Sequence, residues 1–263
     1  MSRATPTQAQ FAAEHARRWQ DSDAACSYRS RPPYPSETFD ILESLIADEP
    51  RHVLDVGCGT GKLARELAPR VARVDAVDLA AEMVAEGARL PGGDAANLRW
   101  SVGRAEEAPL DPPYALIVGG ESLHWMAWQI VLPRFARALT PNGVLAIARV
   151  DDSAPAPWRA GLLEIIQRHS TAKSHVPFDM LPAWESGGLF LKLGDRMTAE
   201  IDFAQSVEEF IDAHHAMSTL TRAHIDAALF DREVRDLLAP YCPDGVLRRR
   251  IRGQVEWGQP LAG

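Results

Sequence analysis

The sequence is poor in cysteine and in long apolar runs. It contains three cysteines in 263 residues, and none of them forms a C-x-x-C pair. An odd number of cysteines without that spacing argues against both a disulfide framework and a zinc knuckle. No apolar run approaches the roughly 18 residues of a membrane span, and Glu14 and Arg17 interrupt the segment where a secretory leader would be apolar. We therefore expect a cytoplasmic protein that has no membrane partner.

Positive charge is also scarce. The 36 acidic residues outnumber the 28 lysines and arginines, which gives a formal net charge of −8. A chain of this charge has no general attraction for phosphate backbones, so we predict that nucleic acid is not a partner. Apolar residues make up 46% of the chain and charged residues 24%, which is typical of a globular protein and excludes a fibrous or disordered one. We expect a monomer or a homodimer.

Short apolar runs alternate with helical stretches over residues 51–150. Strands that alternate with helices form a mostly parallel sheet covered on both faces, so the predicted fold class is α/β. The strands are predicted at His52–Val56, Arg73–Val77, Leu98–Val102, Leu116–Gly119, Gly143–Val150, Arg196–Phe203 and Arg249–Trp257.

This pattern divides the chain into three parts. Residues 1–50 are predicted to be a helical cap segment, residues 51–150 the ligand-binding core, and residues 151–263 the remainder of the core. A capping-box pattern from Ser206 to Glu209 opens a helical insertion. We expect this insertion, residues 206–240, to fold over the ligand cleft, and we call it the lid.

The most informative segment is Val53-Leu-Asp-Val-Gly-Cys-Gly-Thr-Gly61, in which a buried strand ends in three glycines and a helix follows. Glycines allow the backbone to turn sharply and to approach a ligand without a Cβ in the way. Asp78 ends the second strand, 17 residues after Gly61. A carboxylate at that position can accept both ribose hydroxyls of a nucleoside, so the loop predicts a nucleoside site.

Spacing and charge favour one nucleoside over another. The loop has the spacing G-x-G-x-G, whereas the dinucleotide fingerprint is G-x-G-x-x-G. Asp55 precedes the first glycine by two residues, and its carboxylate would repel a pyrophosphate placed in the loop. S-adenosylmethionine has no phosphate and carries an ammonium and a sulfonium, which suit Asp55 and Asp78. A dinucleotide remains the alternative at this point.

Several motifs resemble, in order, those of class I S-adenosylmethionine-dependent methyltransferases. They are VLDVGCGTG, VDAVDLAAEMV, GRAEEAPL and ALTPNGVLAIARV, within about residues 50–150. The segments YRSRPPYP and LHWM are similar to the small-molecule branch of that family, which includes trans-aconitate methyltransferase. The resemblance implies a Rossmann-like seven-stranded sheet whose last strand is antiparallel.

The resemblance also implies roles for individual residues. The glycine loop would hold the methionine end, Asp55 would reach the ammonium, Asp78 the ribose and Leu79 the adenine. Arg104 stands where many relatives have Asp. The implied cofactor-binding residues are Tyr28, Arg31, Asp55, Gly57, Cys58, Gly59, Gly61, Asp78, Leu79, Ala105, Glu106 and Gly120.

Catalytic and acceptor-binding candidates follow the fourth strand or lie in the lid. His124 is predicted either to act as a general base or to form the floor of the pocket through its ring. Trp125, Phe210 and His214 are predicted to line the acceptor site, and core packing is the alternative for His214. No two histidines have the i, i+4 spacing of a metal pair, so we predict no metal.

The predicted function is transfer of a methyl group from S-adenosylmethionine to a small organic acceptor, in line with the leaving sulfur. Two alternatives remain open. One is a protein of this fold that binds the cofactor without transferring the methyl group, as a cyclase or a binding module. The other is a dinucleotide-dependent oxidoreductase.

Overall fold

A computed structural model describes residues 27–171 and 180–262. Residues 1–26 of the predicted helical cap segment lie outside the described residues. Every helix among the described residues is too short or too polar to cross a bilayer.

The described residues form one mixed sheet of eight strands in the order β3-β2-β1-β4-β5-β8-β6, with β7 paired to β8 as well. Strands β1 to β5 are mutually parallel. The strands are β1 His52–Val56, β2 Arg73–Asp78, β3 Leu98–Val102, β4 Tyr114–Gly120, β5 Leu139–Asp152, β6 Phe190–Met197, β7 Ile201–Ser206 and β8 Val246–Pro260.

Strand β8 is the reversed strand of the sheet, as the resemblance implied. It runs antiparallel to β5 on one side and to both β6 and β7 on the other. The prediction of a single strand over Arg196–Phe203 is wrong, because two strands share that place. The chain leaves the sheet between them, where the backbone N–H of Ala199 donates to the Glu37 carboxylate at 2.6 Å.

Helices cover both faces of the sheet. The α-helices are α1 Ser36–Ser44, α2 Ala64–Leu67, α3 Ala81–Gly87, α4 Trp128–Ala138, α5 Arg159–His169, α6 Met180–Ser186, α7 Val207–His215 and α8 Ala227–Leu238. Short 3-10 turns lie at Tyr28–Ser30, Ala68–Arg70, Leu123–Trp125 and Arg222–His224.

Strand β4 has no charged residue because each face of the sheet packs against its own core. In β4, Leu116 and Val118 belong to one buried cluster, and Ile117 belongs to the cluster on the opposite face. This pattern is expected of a parallel sheet covered on both sides. Because β1, β2 and β4 are parallel, their carboxyl ends lie at one edge of the sheet, where the glycine loop lies.

The lid has a core of its own. Phe210 of α7 packs with Phe230 and Val234 of α8 and with Leu162 of α5, apart from the two sheet cores. The predicted capping box is confirmed, because the Ser206 hydroxyl accepts from the backbone N–H of Glu209 at 3.1 Å. The Glu209 carboxylate in turn accepts from the Ser206 N–H at 2.7 Å.

Candidate active site

The glycine loop, residues 57–61, has a backbone that requires glycine. Gly57, Gly59 and Gly61 have φ values of 64°, 55° and 71°. A Cβ on Gly57 would lie 2.5 Å from the Cβ of Ser122, and one on Gly61 would overlap the ring of Trp100. The loop therefore keeps a concave backbone surface that any larger residue would fill.

Most amide groups of the loop are satisfied within the protein. The N–H groups of Gly57 and Cys58 donate to the Val77 carbonyl at 2.8 and 3.1 Å, and that of Gly61 donates to the Cys58 carbonyl at 2.8 Å. The N–H of Gly59 donates to the Asp78 carboxylate at 2.7 Å. Donors used in this way are not offered to a phosphate, which weighs against the dinucleotide alternative.

Asp78 holds the loop as well as facing the cleft. One carboxylate oxygen accepts from Gly59 and the other accepts from the N–H of Ala80 at 2.8 Å. Burial raises the pKa of Asp78, and these hydrogen bonds from backbone groups oppose that effect. Each oxygen has a second lone pair, so the carboxylate can still accept hydroxyl groups of a ligand.

Asp55 has one satisfied and one unsatisfied oxygen. Its Oδ2 accepts from the N–H of Ala64 at 3.0 Å, near the start of α2. Its Oδ1 is buried and has no hydrogen-bond partner among the described residues. Burial raises the pKa of Asp55 to about 7, the hydrogen bond from Ala64 lowers it, and the nearby Asp78 raises it further. A cationic group bound at Oδ1 would offset the unfavourable burial of the Asp55 carboxylate.

Residues 28–34, which we call the strap, cross over the glycine loop. The ring of Tyr28 lies 3.6 Å from where a Cβ of Gly59 would be, and it packs on Ala80 and Met83. Burial raises the pKa of Tyr28 to about 12, although Arg31 opposes this shift. The strap thus covers the loop, and the implied binding of the cofactor by Tyr28 and Arg31 stays a prediction.

Lys62 fastens the strap and was missed by the sequence analysis. Its ammonium donates to the carbonyls of Arg31 and Pro32 at 2.6 and 3.3 Å, and it lies 5.3 Å from the centre of the Tyr28 ring. Burial lowers the pKa of Lys62 to about 7, and the neighbouring charges of Arg31 and Arg65 add to the effect. Its position just after the third glycine was the available signal.

The end of β4 meets the strap. A Cβ on Gly120 would lie 2.5 Å from the Tyr34 hydroxyl, so the strap approaches the strand only because this residue is glycine. Glu121, which the sequence analysis did not single out, follows with a φ of 54°. The hydroxyl of Ser122 then donates to the Val56 carbonyl at 2.6 Å and ties the end of β4 to β1.

The residues implied to contact adenine differ in exposure. Leu79 is partly exposed beside Asp78, whereas Ala105 is buried at 8% exposure. The Glu106 carboxylate accepts from the backbone N–H of Ala127 at 2.8 Å and lies 3.5 Å from the Arg104 guanidinium. Glu106 is therefore committed in part to the start of α4, and its contact with adenine stays a prediction.

His124 and Trp125 form the 3-10 turn after β4. Their ring centroids are 4.6 Å apart, and both side chains are partly exposed. This packing does not decide between the two predicted roles of His124, a general base or part of the floor of the pocket, and both stay predictions.

In the lid, the structure separates the two candidate acceptor residues. Phe210 is only 3% exposed and packs against Trp158 at a centroid distance of 5.3 Å. His214 is partly exposed, and its Nδ1 lies 2.8 Å from the Phe210 carbonyl, which fixes Nδ1 as the donor. Burial lowers the pKa of His214 to about 4, so its ring is neutral at pH 7. The adjacent His215 is fully buried between the Leu220 carbonyl and Asp231.

No cluster of three or more histidine, cysteine, aspartate or glutamate side chains suited to a metal ion occurs in residues 27–171 and 180–262. Cys58 and Cys242 are free, buried thiols.

Comparison with known proteins finds a family profile that matches part of this arrangement. Residues 53–143 match the sequence profile of a methyltransferase domain. This segment of the chain is therefore similar to a methyltransferase domain. The fold of the chain agrees with a structure provisionally assigned as a type II methyltransferase from Anaeromyxobacter dehalogenans, with a TM-score of 0.57 and 20% identity over 87% of this chain and 96% of that one.

Curated relatives match part of this chain. An uncharacterized methyltransferase of Mycobacterium tuberculosis is 37% identical over 142 residues, which are 53% of this chain and 55% of that protein. A trans-aconitate 2-methyltransferase of Streptomyces avermitilis is 35% identical over 103 residues, 37% of this chain and 38% of that one. The chain thus spans about half or less of the length of these relatives.

S-adenosylmethionine is the cofactor of a methyltransferase domain of this class, and two observations show that the residues fit it. The glycine loop keeps a backbone surface that a Cβ would fill. The buried, unpartnered Oδ1 of Asp55 suits a ligand that carries an ammonium. A pyrophosphate would bring negative charge to the same oxygen.

Proposed function

We propose that the protein transfers a methyl group from S-adenosylmethionine to a small organic acceptor. The observation that carries this proposal is the buried, unpartnered Oδ1 of Asp55 beside a glycine loop most of whose amides are already satisfied. Such a site disfavours phosphate and favours a cationic nucleoside.

The residues of this chain would bind and enclose the cofactor. The glycine loop and Asp55 would hold its methionine end, and the oxygens of Asp78 would accept its ribose hydroxyls. When bound, S-adenosylmethionine supplies a methyl group on a sulfonium, which is a strong leaving group. Tyr28 and Lys62 keep the strap over the loop and exclude water from this part of the cleft. Methyl transfer then depends mainly on positioning.

The structure around the cleft supports a small acceptor. The lid and the strap meet at their ends. Arg222 of the lid donates to the hydroxyl of Ser27, just before the strap, at 3.0 Å. Gln205, just before the lid, donates to the Ser30 carbonyl at 3.2 Å. A cleft closed on two sides suits a small molecule. The net charge of −8 gives no footprint for nucleic acid.

Two measurements test the proposal in order. Calorimetry should show micromolar binding of S-adenosylmethionine and S-adenosylhomocysteine, and no binding of NAD. A screen of metabolite acceptors should then release S-adenosylhomocysteine. Binding of NAD alone would overturn the assignment, and cofactor binding without product from any acceptor would favour the cyclase or binding-module alternative.

A further inference from the structure

Glu121 has a backbone conformation that glutamate rarely adopts. With a φ of 54°, it is the single residue other than glycine with a positive φ among residues 27–171 and 180–262. A side chain with a Cβ is strained in this region, and such residues persist where the surrounding structure holds them and where function retains them.

The flanking residues hold Glu121 in place. Gly120 ends β4 against the Tyr34 hydroxyl, and the buried Ser122 donates to the Val56 carbonyl at 2.6 Å. Leu123 is 1% exposed and belongs to the core beneath the sheet. The backbone is therefore fixed on both sides of Glu121.

The carboxylate that this backbone presents is unpaired. In the part of the chain that the structure describes, Glu121 has neither a hydrogen bond nor an ion pair within bonding distance, and the residue is exposed. A residue with a strained backbone and no hydrogen bond or ion pair of its side chain does not contribute to the stability of the fold.

Charged and titratable groups from two elements face Glu121. Arg31 of the strap and Arg149 and Asp151 of β5 act on its carboxylate, which in turn acts on the phenols of Tyr28 and Tyr34. Partial desolvation of the carboxylate raises the pKa of Glu121. The negative charge of Asp151 adds to this effect, and the positive charges of Arg31 and Arg149 oppose it. A carboxylate in this setting is a better base than one in water.

We propose that Glu121 is a catalytic residue that accepts the proton of the acceptor's O–H or N–H group as that oxygen or nitrogen takes the methyl group. This inference rests on the proposed function. In the balanced step, the bond from sulfur to the methyl carbon breaks and a bond from the methyl carbon to the acceptor atom forms. The proton moves to a Glu121 oxygen, and the sulfur leaves as a neutral thioether.

The same placement defines the class of acceptor. The reacting atom carries a proton at neutral pH, as in an alcohol, a phenol or an amine. An ionised carboxylate has no proton to give and would be repelled by Glu121. The chain should therefore differ in acceptor from the relatives named as trans-aconitate 2-methyltransferases.

The first test needs no acceptor. Glu121→Gly removes both strain and the unpaired charge, whereas Glu121→Ala removes the charge and keeps most of the strain. We expect the glycine variant to melt about 2–4 °C above the alanine variant and above the native protein. Binding of S-adenosylhomocysteine by calorimetry should stay within about twofold. A glycine variant that melts below the native protein would show that Glu121 is structural and would overturn the proposal.

The second test follows release of S-adenosylhomocysteine from a panel of phenols, alcohols and amines, with trans-aconitate as the carboxylate member. Glu121→Gln should slow turnover about 100-fold or more and remove the rise in rate that follows deprotonation of Glu121 as the pH increases. Glu164→Gln, on the exposed face of α5, is the matched control and should leave the rate unchanged. Methylation of trans-aconitate that survives Glu121→Gln would overturn the inference and leave the proposed function standing. Failure of the native protein to bind S-adenosylhomocysteine would refute the proposed function itself.

Discussion

Asp78 holds the fold together at a position where the sequence predicts a ligand contact. Its two oxygens fix the glycine loop through Gly59 and the start of α3 through Ala80. The sequence predicted a contact with ribose but not these two bonds within the protein. A substitution is therefore expected to remove the predicted ligand contact and also to loosen the glycine loop.

Asp78→Ala should weaken binding of S-adenosylhomocysteine at least tenfold. Each charge-assisted hydrogen bond that is lost costs about 1.5–3 kcal/mol, and the Gly59 N–H loses its acceptor as well. Calorimetry on the folded variant measures this, with the exposed Asp202→Ala as the control. Unchanged affinity would show that Asp78 does not meet the ligand.

Asp55 should make stability depend on pH. Burial raises its pKa from 3.8 to about 7, so the folded state holds the proton more tightly than the unfolded state. This contribution favours folding below about pH 4 and is lost as the pH rises toward 7. Relative to Asp55→Asn, the ligand-free native protein should lose up to about 4 kcal/mol between those pH values. Urea unfolding of both proteins at several pH values measures the difference, and parallel pH profiles would contradict it.

At the scale of elements, the strap is held by one buried ammonium. Lys62→Met keeps the apolar stem and removes both donors to the carbonyls of Arg31 and Pro32. We expect faster amide hydrogen exchange in residues 28–34 and a five- to tenfold loss of S-adenosylhomocysteine affinity, which corresponds to about 1 kcal/mol. Arg89→Met, at an exposed position, is the control. Equal exchange rates in the variant and the native strap would mean that Lys62 does not hold it.

The lid depends on a separate buried pair. His215 is 1% exposed, and its Nε2 lies 2.7 Å from the Asp231 carboxylate. Asp231→Ala leaves the buried Nε2 of His215 without a hydrogen-bond partner, which costs about 1–3 kcal/mol of folding free energy. Denaturant unfolding should show this loss while cofactor affinity remains the same. A parallel loss of cofactor affinity would show that the lid core and the cofactor site are not independent.

At the scale of the whole molecule, the cofactor and the acceptor are predicted to depend on different parts of the chain. His214→Ala should change the rate with each acceptor at least severalfold and leave cofactor affinity unchanged. Its ring is partly exposed, unlike that of Phe210, so its loss alters the cleft more than the lid core. Acceptor kinetics and calorimetry on the same preparation measure both effects. A variant that binds the cofactor weakly but keeps its acceptor preference would place His214 in the wrong site.

Features that depend on residues close together in the sequence could be predicted from it. The bounds of β1 and β3 agree with prediction, and the glycine loop was recognised because local spacing dictates its backbone. The sequence did not predict that two strands, β6 and β7, share the place beside β8. The backbone N–H of Ala199, between them, bonds to the carboxylate of Glu37, which is far away in the sequence. Glu121 was missed for a similar reason, since only the packed ends of β4 and the strap impose a positive φ on it.

The position of β8 has a consequence for how the protein is made. It is synthesised after the other seven strands of this sheet, yet it lies between β5 and the outer strands β6 and β7. Until it emerges from the ribosome, β5 has an open edge, and β6 and β7 have no strand to pair with. The growing chain therefore exposes a sheet edge from the completion of β5 until β8 is made, when pairing between nascent chains competes with folding. Substitutions that weaken β8 should thus reduce the yield of native protein more than they reduce the stability of the molecules that have folded.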